Sequence, residues 1–355
     1  MKRVTAVILL AGILLSGCST WMNKEYVSIE PYLEKNDAHT DSVPEASSFI
    51  QLRDALVTIV ESGEPDGTVI VAALEQENID DYMQSVINYI VSNNAVGAYT
   101  VENIDYEIGT SLGRAAVAVS ITYNNNLSAL RKMRRVQNMD ETISLLEKSL
   151  DKCDAGLILL VEEYENVDFS QLIQDYFLLN PDSVMEFPQA TVSVYPESGK
   201  QRIVDISFTY QTSRETLRQM QDAVSPVFMS ARLYVSNSAD DVEKLIQLYA
   251  FLMERYEYTF ETSITPSYSL LCHGVGDCKA FATVYAAMCS QVGIECHMVS
   301  GTRNGEPWYW NVVLVDDIYC HLDLLRCSAD GGFYLHSDGE MYGYVWDYSA
   351  YSQQD

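Results

Sequence analysis

The stretch GVGDCKAFATVY, from Gly274 to Tyr285, decides how the last third of the chain is interpreted. Apolar residues recur after Cys278 at i, i+3, i+4 spacing, which predicts a helix that packs against a core. They are Phe281, Val284, Tyr285, Met288 and Val292, and Gly293 suits the end of such a helix. Cys278 is therefore expected in the first turn, where the helix dipole and free N–H groups favour a thiolate and can hold an oxyanion. The spacing alone leaves a structural cysteine and a nucleophile both open.

Three further segments follow this helix in a characteristic order. They read IECHMVSG from Ile294, WYWNVVLVDDIYCHLDLLRC from Trp308 and YLHSDGEMYGYVWDYSAY from Tyr334. The succession resembles the transglutaminase-like domains of the papain-type cysteine hydrolase superfamily. Members show a G-x-C helix start, a strand ending in V-x-G, an H-A-W-N strand and a strand carrying D-x-T. The resemblance covers residues 238–355 and implies an α+β domain in which the Cys-bearing helix packs on an antiparallel sheet.

The same resemblance implies roles for individual residues. Cys278 matches the nucleophile, and Asp323 matches the acid that orients a histidine. Trp310 and Asn311 match the W-N of H-A-W-N, and the histidine of that motif falls on Trp308. An indole neither accepts nor delivers the proton that a cysteine–histidine pair exchanges. The resemblance therefore predicts an active site whose general base is missing.

A predicted hairpin fixes the neighbours of this position. Asp316-Asp317 separates two strand-like runs and is expected to form a two-residue turn. Pairing outwards from the turn places Val315 opposite Ile318 and Trp310 opposite Asp323. Period-two alternation then puts five side chains on one face of the sheet. They are Trp308, Trp310, Val312, His321 and Asp323.

Three histidines are weighed as a replacement base. His321 is predicted opposite Val312, roughly 13 Å along the strand from position 308, whereas a base and its thiol need contact at about 3 Å. His273 precedes Cys278 in an approach loop, and no motif supports a catalytic role for it. His297 is predicted on a strand with an ordinary structural role. His321 and His273 remain the substitute candidates.

The N-terminus predicts a secreted, lipid-anchored protein. Met1, Lys2 and Arg3 precede an apolar run from Val4 to Leu15, which is too short to span a bilayer comfortably. The run continues into LSGC, which resembles a bacterial lipobox ending at Cys18. We therefore expect a lipoprotein signal peptide at residues 1–17, acyl chains such as palmitate on Cys18, and a polar tether over residues 18–48. The mature chain would lie on the outer face of a bacterial membrane.

The charge of the chain excludes several classes of function. The chain has 22 basic and 50 acidic residues, and removal of Lys2 and Arg3 leaves 20 against 50, a net charge of −30. This charge repels nucleic acid and anionic lipid. One basic cluster, formed by Arg131, Lys132, Arg134 and Arg135, is interpreted as a solvated helix face rather than an anion site.

The cysteines give no sign of a metal site. Six of the eight follow residue 238 without paired C-x-x-C spacing, so neither a metal nor another cofactor is expected. They allow up to three disulfides whose pairing the sequence leaves open.

An internal repeat occupies the region between tether and C-terminal domain, over residues 49–135 and 136–237. DGTVIVAALEQENIDDY from Asp66 resembles DAGLILLVEEYENVDFS from Asp154 at an offset of 88, and later matches keep an offset of 87. Each copy reads helix, strand, helix, strand, strand, which predicts two small α+β modules with mostly antiparallel sheets. Cys153 has no apparent counterpart in the first copy.

Three functions stay open at this point. The first is a surface lipoprotein whose degenerate domain binds or scaffolds, with Trp308, Trp310 and Asn311 around a cleft for a peptide, protein or cell-wall ligand. The second is an active cysteine-dependent amidase, peptidase or transglutaminase with a relocated base. The third is a structural spacer in which the repeats carry the function.

Overall fold

The computed structural model describes residues 43–347. Cys18, the signal peptide and most of the tether lie outside this range, so the anchor stays a prediction. Between residues 43 and 347, no helix combines the length and the apolar character needed to cross a membrane.

The first repeat copy is a helical layer on a three-stranded antiparallel sheet. Its elements are α1 (Phe49–Ser62), β1 (Asp66–Ile70), α2 (Ile79–Asn93), α3 (Ala95–Thr100), β2 (Val101–Ser111) and β3 (Arg114–Tyr123). The strand order is β1-β3-β2, with both pairs antiparallel. Ser48 caps α1 by accepting from the Gln51 N–H, and Gly63 ends the helix with a positive φ of 72°.

The second copy repeats this arrangement and adds an edge strand and a long helix. Its elements are β4 (Arg134–Val136), α4 (Met139–Asp151), β5 (Gly156–Val161), α5 (Phe169–Leu179), β6 (Gln189–Tyr195), β7 (Arg202–Thr209) and α6 (Arg214–Tyr234). The strand order is β4-β5-β7-β6, and only the β4–β5 pair is parallel. The predicted basic helix face is wrong: Lys132 ends a 3₁₀ helix (Asn125–Lys132), whereas Arg134 and Arg135 begin β4.

Both copies show the predicted order of helix, strand, helix, strand, strand, with the additional short helix α3 in the first copy, but their alignment changes. The first helix buries Leu52, Leu56 and Val60 in one copy and Thr142, Leu146 and Leu150 in the other, a spacing of 90 (142 − 52). The strand that follows keeps this spacing, because Ile70 is bridged by Glu45 as Leu160 is paired with Arg135 (160 − 70), so the offset of 88 from Asp66 to Asp154 is two residues out of register. Side chains alternate every two residues along a strand, so the sequence pattern looked correct in both alignments.

Cys153 has a structural counterpart at the same spacing of 90 (153 − 63). It follows α4 with a positive φ of 50°, where the first copy has Gly63. The expectation that Cys153 has no counterpart in the first copy is therefore wrong for its backbone position, although the residue there is a glycine. The thiol is buried beneath α6, because Leu217 and Val224 of that helix belong to the same core cluster.

The C-terminal region packs its helices against a four-stranded sheet and adds a short two-stranded pair, β8–β9. Its elements are α7 (Asp241–Met253), β8 (Glu257–Tyr258), α8 (Pro266–Tyr268), β9 (Val275–Gly276), α9 (Cys278–Gln291), β10 (Cys296–Arg303), β11 (Glu306–Val315), β12 (Ile318–Leu322), α10 (Leu324–Asp330) and β13 (Tyr344–Trp346). The four-stranded sheet has the order β12-β11-β10-β13 and is antiparallel throughout. Asp240 caps α7 by accepting from the Glu243 N–H.

Helix α9 forms the centre of this region. Phe281, Val284 and Tyr285 are each at most 1% exposed, and burial of such side chains contributes roughly 1.5–3 kcal/mol each. The Tyr285 hydroxyl donates to the Leu245 carbonyl at 2.8 Å, which satisfies the only polar atom of that ring. The helix start is therefore held in place by core packing along most of the helix.

The hairpin register is as predicted from the turn up to Asn311–Leu322, but the predicted pair Trp310–Asp323 is not formed, because Asp323 leaves the strand to cap α10. Val315 pairs with Ile318, and Val312 pairs with His321. Asp316 and Asp317 both have positive φ, 51° and 62°, as the tight turn of a two-residue hairpin requires.

Candidate functional site

Cys278 is the first residue of α9, as the sequence predicted. The Asp277 side chain caps the helix and accepts from the Ala280 N–H at 2.8 Å. The thiol is half-buried and lies near the backbone N–H groups of Tyr309 and Lys279, which favour its charged form. The position thus keeps the geometry of a helix-start nucleophile.

The electrostatic setting of Cys278 nevertheless favours the neutral thiol. Burial raises the pKa of Cys278 above its ordinary value, and the negative charges of Asp277 and Asp323 raise it further. The N–H groups of Tyr309 and Lys279 act in the opposite direction without reversing the shift. The expectation of a lowered pKa from the helix end is therefore wrong, because desolvation outweighs the helix-end effect.

Trp308 lies on β11, at the position that the motif resemblance assigns to a histidine, and contacts Asp323. Its indole Nε1–H donates to Asp323 Oδ2 at 2.8 Å, in the manner of an imidazole N–H that an acid orients. Indole has no second nitrogen, so nothing on this ring can take a proton from a thiol. The indole supplies the N–H donor that the expected histidine would supply, but it lacks the second ring nitrogen that would accept a proton.

Asp323 serves as the junction of several hydrogen bonds. It is 2% exposed and accepts from the Tyr344 hydroxyl at 2.6 Å. Its other oxygen caps α10 by accepting from the Leu325 and Arg326 N–H groups at 3.0 and 3.1 Å. The Arg303 guanidinium lies 3.6 Å away and supplies the nearest compensating charge. Asp323 therefore has a structural role that is independent of catalysis.

His321 is turned away from the thiol and into the sheet. Trp310 Nε1 donates to His321 Nδ1 at 2.9 Å, and His321 Nε2 lies 3.0 Å from Asp338 Oδ1. Because an indole can only donate, Nδ1 must be the unprotonated nitrogen, and Nε2–H donates to Asp338. Burial lowers the pKa of His321, in agreement with a neutral ring. These contacts occupy both ring nitrogens of His321 and give the ring a structural role.

The other histidines of the described range have partners elsewhere. His273 packs edge-on against the Tyr268 ring at 4.9 Å. His297 lies 3.0 Å from Glu295, and His336 exchanges backbone hydrogen bonds with His321. None of these contacts brings an imidazole to Cys278.

Trp310 and Asn311 are core residues. Trp310 is 1% exposed because the Tyr344 and Trp346 rings of β13 cover it at centroid distances of 5.2 and 5.9 Å. Asn311 is fully buried and donates to the Ala282 carbonyl of α9 at 2.8 Å, which ties the sheet to the Cys-bearing helix. The expectation that these two residues face a ligand is therefore wrong in this structure.

Three residues of the site were missed by sequence reasoning. The Tyr258 ring lies 5.9 Å from the Trp308 ring, and Arg303 stacks its guanidinium 5.2 Å above the same indole. The third residue, Tyr344, joins the site because its hydroxyl donates to Asp323. Tyr344 lies in an aromatic segment quoted above and Arg303 two residues after IECHMVSG, but neither pattern indicates a contact with Trp308, and Tyr258 lies outside the motifs.

The described part of the chain offers no candidate metal centre. Within residues 43–347, no group of three His, Cys, Asp or Glu side chains is arranged to hold a metal ion. The seven cysteines of this range are free thiols, and the Cys289 and Cys296 side chains hydrogen-bond to each other in the core.

Comparison with known proteins identifies the C-terminal region. Residues 229–345 match the family model of the Transglutaminase-like superfamily. This region is a transglutaminase-like domain. The chain has no match among curated proteins.

Solved structures with similarity to the chain include a TGase and two proteins described as proteases. The TGase is 11% identical, with a TM-score of 0.27 over 68% of this chain and 71% of its own. A candidate cysteine protease from Cytophaga hutchinsonii is 10% identical, with a TM-score of 0.26 over 44% and 70%. A candidate protease from Parabacteroides distasonis is 8% identical, with a TM-score of 0.23 over 61% and 35%.

In the transglutaminase-like domain, Cys278 begins α9, Asp323 follows β12, and Trp310 and Asn311 lie on β11. The β11 side chain that donates to Asp323 is the Trp308 indole.

Proposed function

We propose that this protein is a bacterial surface lipoprotein whose transglutaminase-like domain binds a peptide, protein or cell-wall ligand without catalysing acyl transfer or hydrolysis. The Trp308 Nε1–Asp323 Oδ2 hydrogen bond carries this proposal. In this hydrogen bond the Asp323 carboxylate holds an indole instead of an imidazole, so Cys278 has no base beside it.

The lost steps follow from the chemistry of a thiol nucleophile. A base must first take the proton of the Cys278 thiol, and the resulting imidazolium must later protonate the leaving amine. Trp308 can do neither, and the raised pKa of Cys278 keeps the thiol protonated at neutral pH. Hydrolysis and amine transfer both need these two proton transfers.

An aromatic surface beside Cys278 suits the binding role. Tyr258 packs against Trp308 on one side and against Phe260 on the other, with a centroid distance of 5.1 Å to Phe260. Phe260 is 87% exposed, an unusual exposure for a large apolar ring. The nearby Arg303 guanidinium adds a positive charge in a strongly acidic protein. A ligand with apolar and acidic groups would complement this surface.

A cavity next to the helix start extends this surface towards the second repeat copy. It has a volume of about 180 Å³ and is lined by Asp277 and Lys279, which flank Cys278, and by Phe187 and Ile264. Phe187 and Ile264 are 46% and 50% exposed. The cavity provides room for one or two ligand side chains beside the retained cysteine.

The activity test compares the wild type with Cys278→Ala, Trp308→His and Trp308→Phe in amine-incorporation and peptidase assays. We expect no turnover in the wild type or in Trp308→Phe, which removes the indole without supplying a base. Gain of activity in Trp308→His alone would show that the base is the missing part. Turnover in the wild type that is lost in Cys278→Ala would overturn the proposal in favour of an active enzyme with a relocated base.

Membrane anchoring is tested separately from binding. We expect the wild type to incorporate an alkyne-tagged palmitate and to sediment with membranes in a bacterial host, and Cys18→Ala to do neither. Release of the wild type into the soluble fraction, without label, would contradict anchoring.

A third experiment removes residues 238–355. If this truncated chain still binds its partner, the result would instead support a spacer whose repeats do the binding.

A further inference from the structure

A basic cavity lies in the second repeat copy, remote in sequence from the transglutaminase-like domain. It has a volume of about 330 Å³ and opens between the C-terminal end of α4 and the first residues of β4 and β5. Four positive side chains line it: Lys132, Arg134, Lys148 and Lys152. In a chain with 22 basic and 50 acidic residues, this concentration is out of proportion to the composition.

The acidic residues in the cavity wall already have partners. Asp154 forms an ion pair with Arg214 at 2.7 Å, and Asp205 accepts from the Tyr99 hydroxyl at 2.7 Å. The four cations, by contrast, form no ion pair with any residue in the range 43–347. The neutral Tyr99 hydroxyl leaves the charge of Asp205 in place, so four unpaired positive charges face one unpaired negative charge and the cavity wall is net positive.

Helix electrostatics explains only part of this cluster. Lys148 and Lys152 lie at the C-terminal end of α4, where positive charge is favourable. Lys132 and Arg134 come from a different segment, the end of the 3₁₀ helix and the start of β4, so the dipole of α4 does not account for them.

The repeat supplies an internal comparison. At the spacing of 90, the first copy has Pro44, Thr58 and Ser62 where the second has Arg134, Lys148 and Lys152. The two copies also share a contact at the edge of the sheet. Glu45 forms a parallel bridge with Ile70 in the first copy, and Arg135 pairs in parallel with Leu160 of β5 in the second. Both copies form the same fold, and only one carries the positive charges. The module therefore does not need these side chains to fold.

The backbone next to the charges is also incompletely paired. β5 pairs with β7 from Gly156 onwards, but with β4 only from Leu159. The edge of Gly156, Leu157 and Ile158 thus faces the cavity without a strand partner on that side. Backbone groups of this kind can add hydrogen bonds to a ligand that the charges attract.

We propose that this cavity binds a small organic anion that carries at least two negative charges as phosphate or carboxylate groups. Four cations from two separate segments suit an anion with more than one charged group, and Arg134 can form paired hydrogen bonds with either kind of group. The volume is in the range of small-molecule sites, about 300–1,000 Å³. This site is independent of the function proposed for Cys278 and its surroundings.

Titration calorimetry of the purified full chain tests the proposal, with pyrophosphate and citrate as probes at constant ionic strength. We expect saturable binding of at least one probe and about tenfold weaker binding in Lys148→Gln/Lys152→Gln. The matched control is Lys200→Gln/Lys244→Gln, which removes the same charge from two lysines paired with Glu163 and Asp241. The preferred probe distinguishes a phosphate ligand from a carboxylate ligand.

The outcomes separate a site from a general charge effect. Absence of saturable binding for both probes, or an equal loss in the control variant, would overturn the proposal. If thermal unfolding shows that Lys148→Gln/Lys152→Gln is not folded, Lys132→Gln/Arg134→Gln removes the two charges that the other segment supplies and must give the same loss of affinity.

Discussion

The indole nitrogen of Trp308 lies 2.8 Å from Oδ2 of Asp323, and the motif resemblance assigns these two residues to the histidine and acid positions. The geometry that a catalytic acid would use to orient its base is retained, but the group it orients cannot accept a proton. Asp323 also receives hydrogen bonds from Tyr344 and from the start of α10, so the fold retains a use for this carboxylate.

The reactivity of Cys278 tests its electrostatic environment. Burial and the charges of Asp277 and Asp323 raise its pKa, so we expect the alkylation rate to reach half its maximum above pH 9.0 in the wild type. In Trp308→His, a nearby imidazolium would stabilise the thiolate and lower that midpoint by about 1–3 pH units. The measurement is iodoacetamide labelling across pH, with the Cys278 peptide followed by mass spectrometry. A wild-type midpoint near pH 6 would point to a cationic partner and contradict the structure.

Asp323→Ala should destabilise the C-terminal domain strongly. The change leaves the Trp308 indole, the Tyr344 hydroxyl and two helix N–H groups without an acceptor, at an expected cost of about 3–5 kcal/mol. Asp330→Ala is the control, because Asp330 is 54% exposed and 3.6 Å from Arg326, so its loss should cost at most about 1 kcal/mol. Urea unfolding followed by tryptophan fluorescence measures both, since three of the four tryptophans lie in this domain. Equal losses would show that Asp323 is not the junction described.

His321 should make stability depend on pH in a defined direction. Burial lowers its pKa, so the folded chain binds fewer protons at this site than the unfolded chain, for which the ordinary value is 6.5. The stabilisation is present above about pH 6.5 and is lost as the pH falls towards the folded-state pKa, by about 1.4 kcal/mol for each unit of lowering. We expect the melting temperature to fall more between pH 7.5 and 5.5 in the wild type than in His321→Asn.

The exposed His297 provides the control for that comparison. His297→Asn should keep the steep wild-type dependence, because this ring lies at the surface beside Glu295. The burial of His336 also lowers its pKa and adds a contribution of the same sign, which both variants retain. Parallel curves for the wild type and His321→Asn would contradict a buried, neutral His321.

Local sequence patterns were sufficient for much of the site. The period of the apolar residues placed Cys278 at the start of its helix, and the Asp316-Asp317 turn set the pairing of Val312 with His321. Both are short-range properties, governed by residues within one helix or one hairpin. The replacement of the expected histidine by Trp308 was likewise visible in the motif itself.

Packing between distant segments set the remaining features. Trp310 shares a sheet face with Trp308, but β13 returns to cover it and leaves Trp308 half-buried. The pKa of Cys278 is raised because several elements desolvate the thiol, an effect that no local pattern encodes.

The sequence by itself therefore determined the elements, the hairpin register and the identity of the residue at the base position. Only the tertiary structure decided which aromatic rings are buried, how the copies align, and that Lys132 and Arg134 meet Lys148 and Lys152 in one cavity. The physical reason is that burial and electrostatic potential sum over side chains brought together by folding, whereas periodicity depends on the chain in its own neighbourhood.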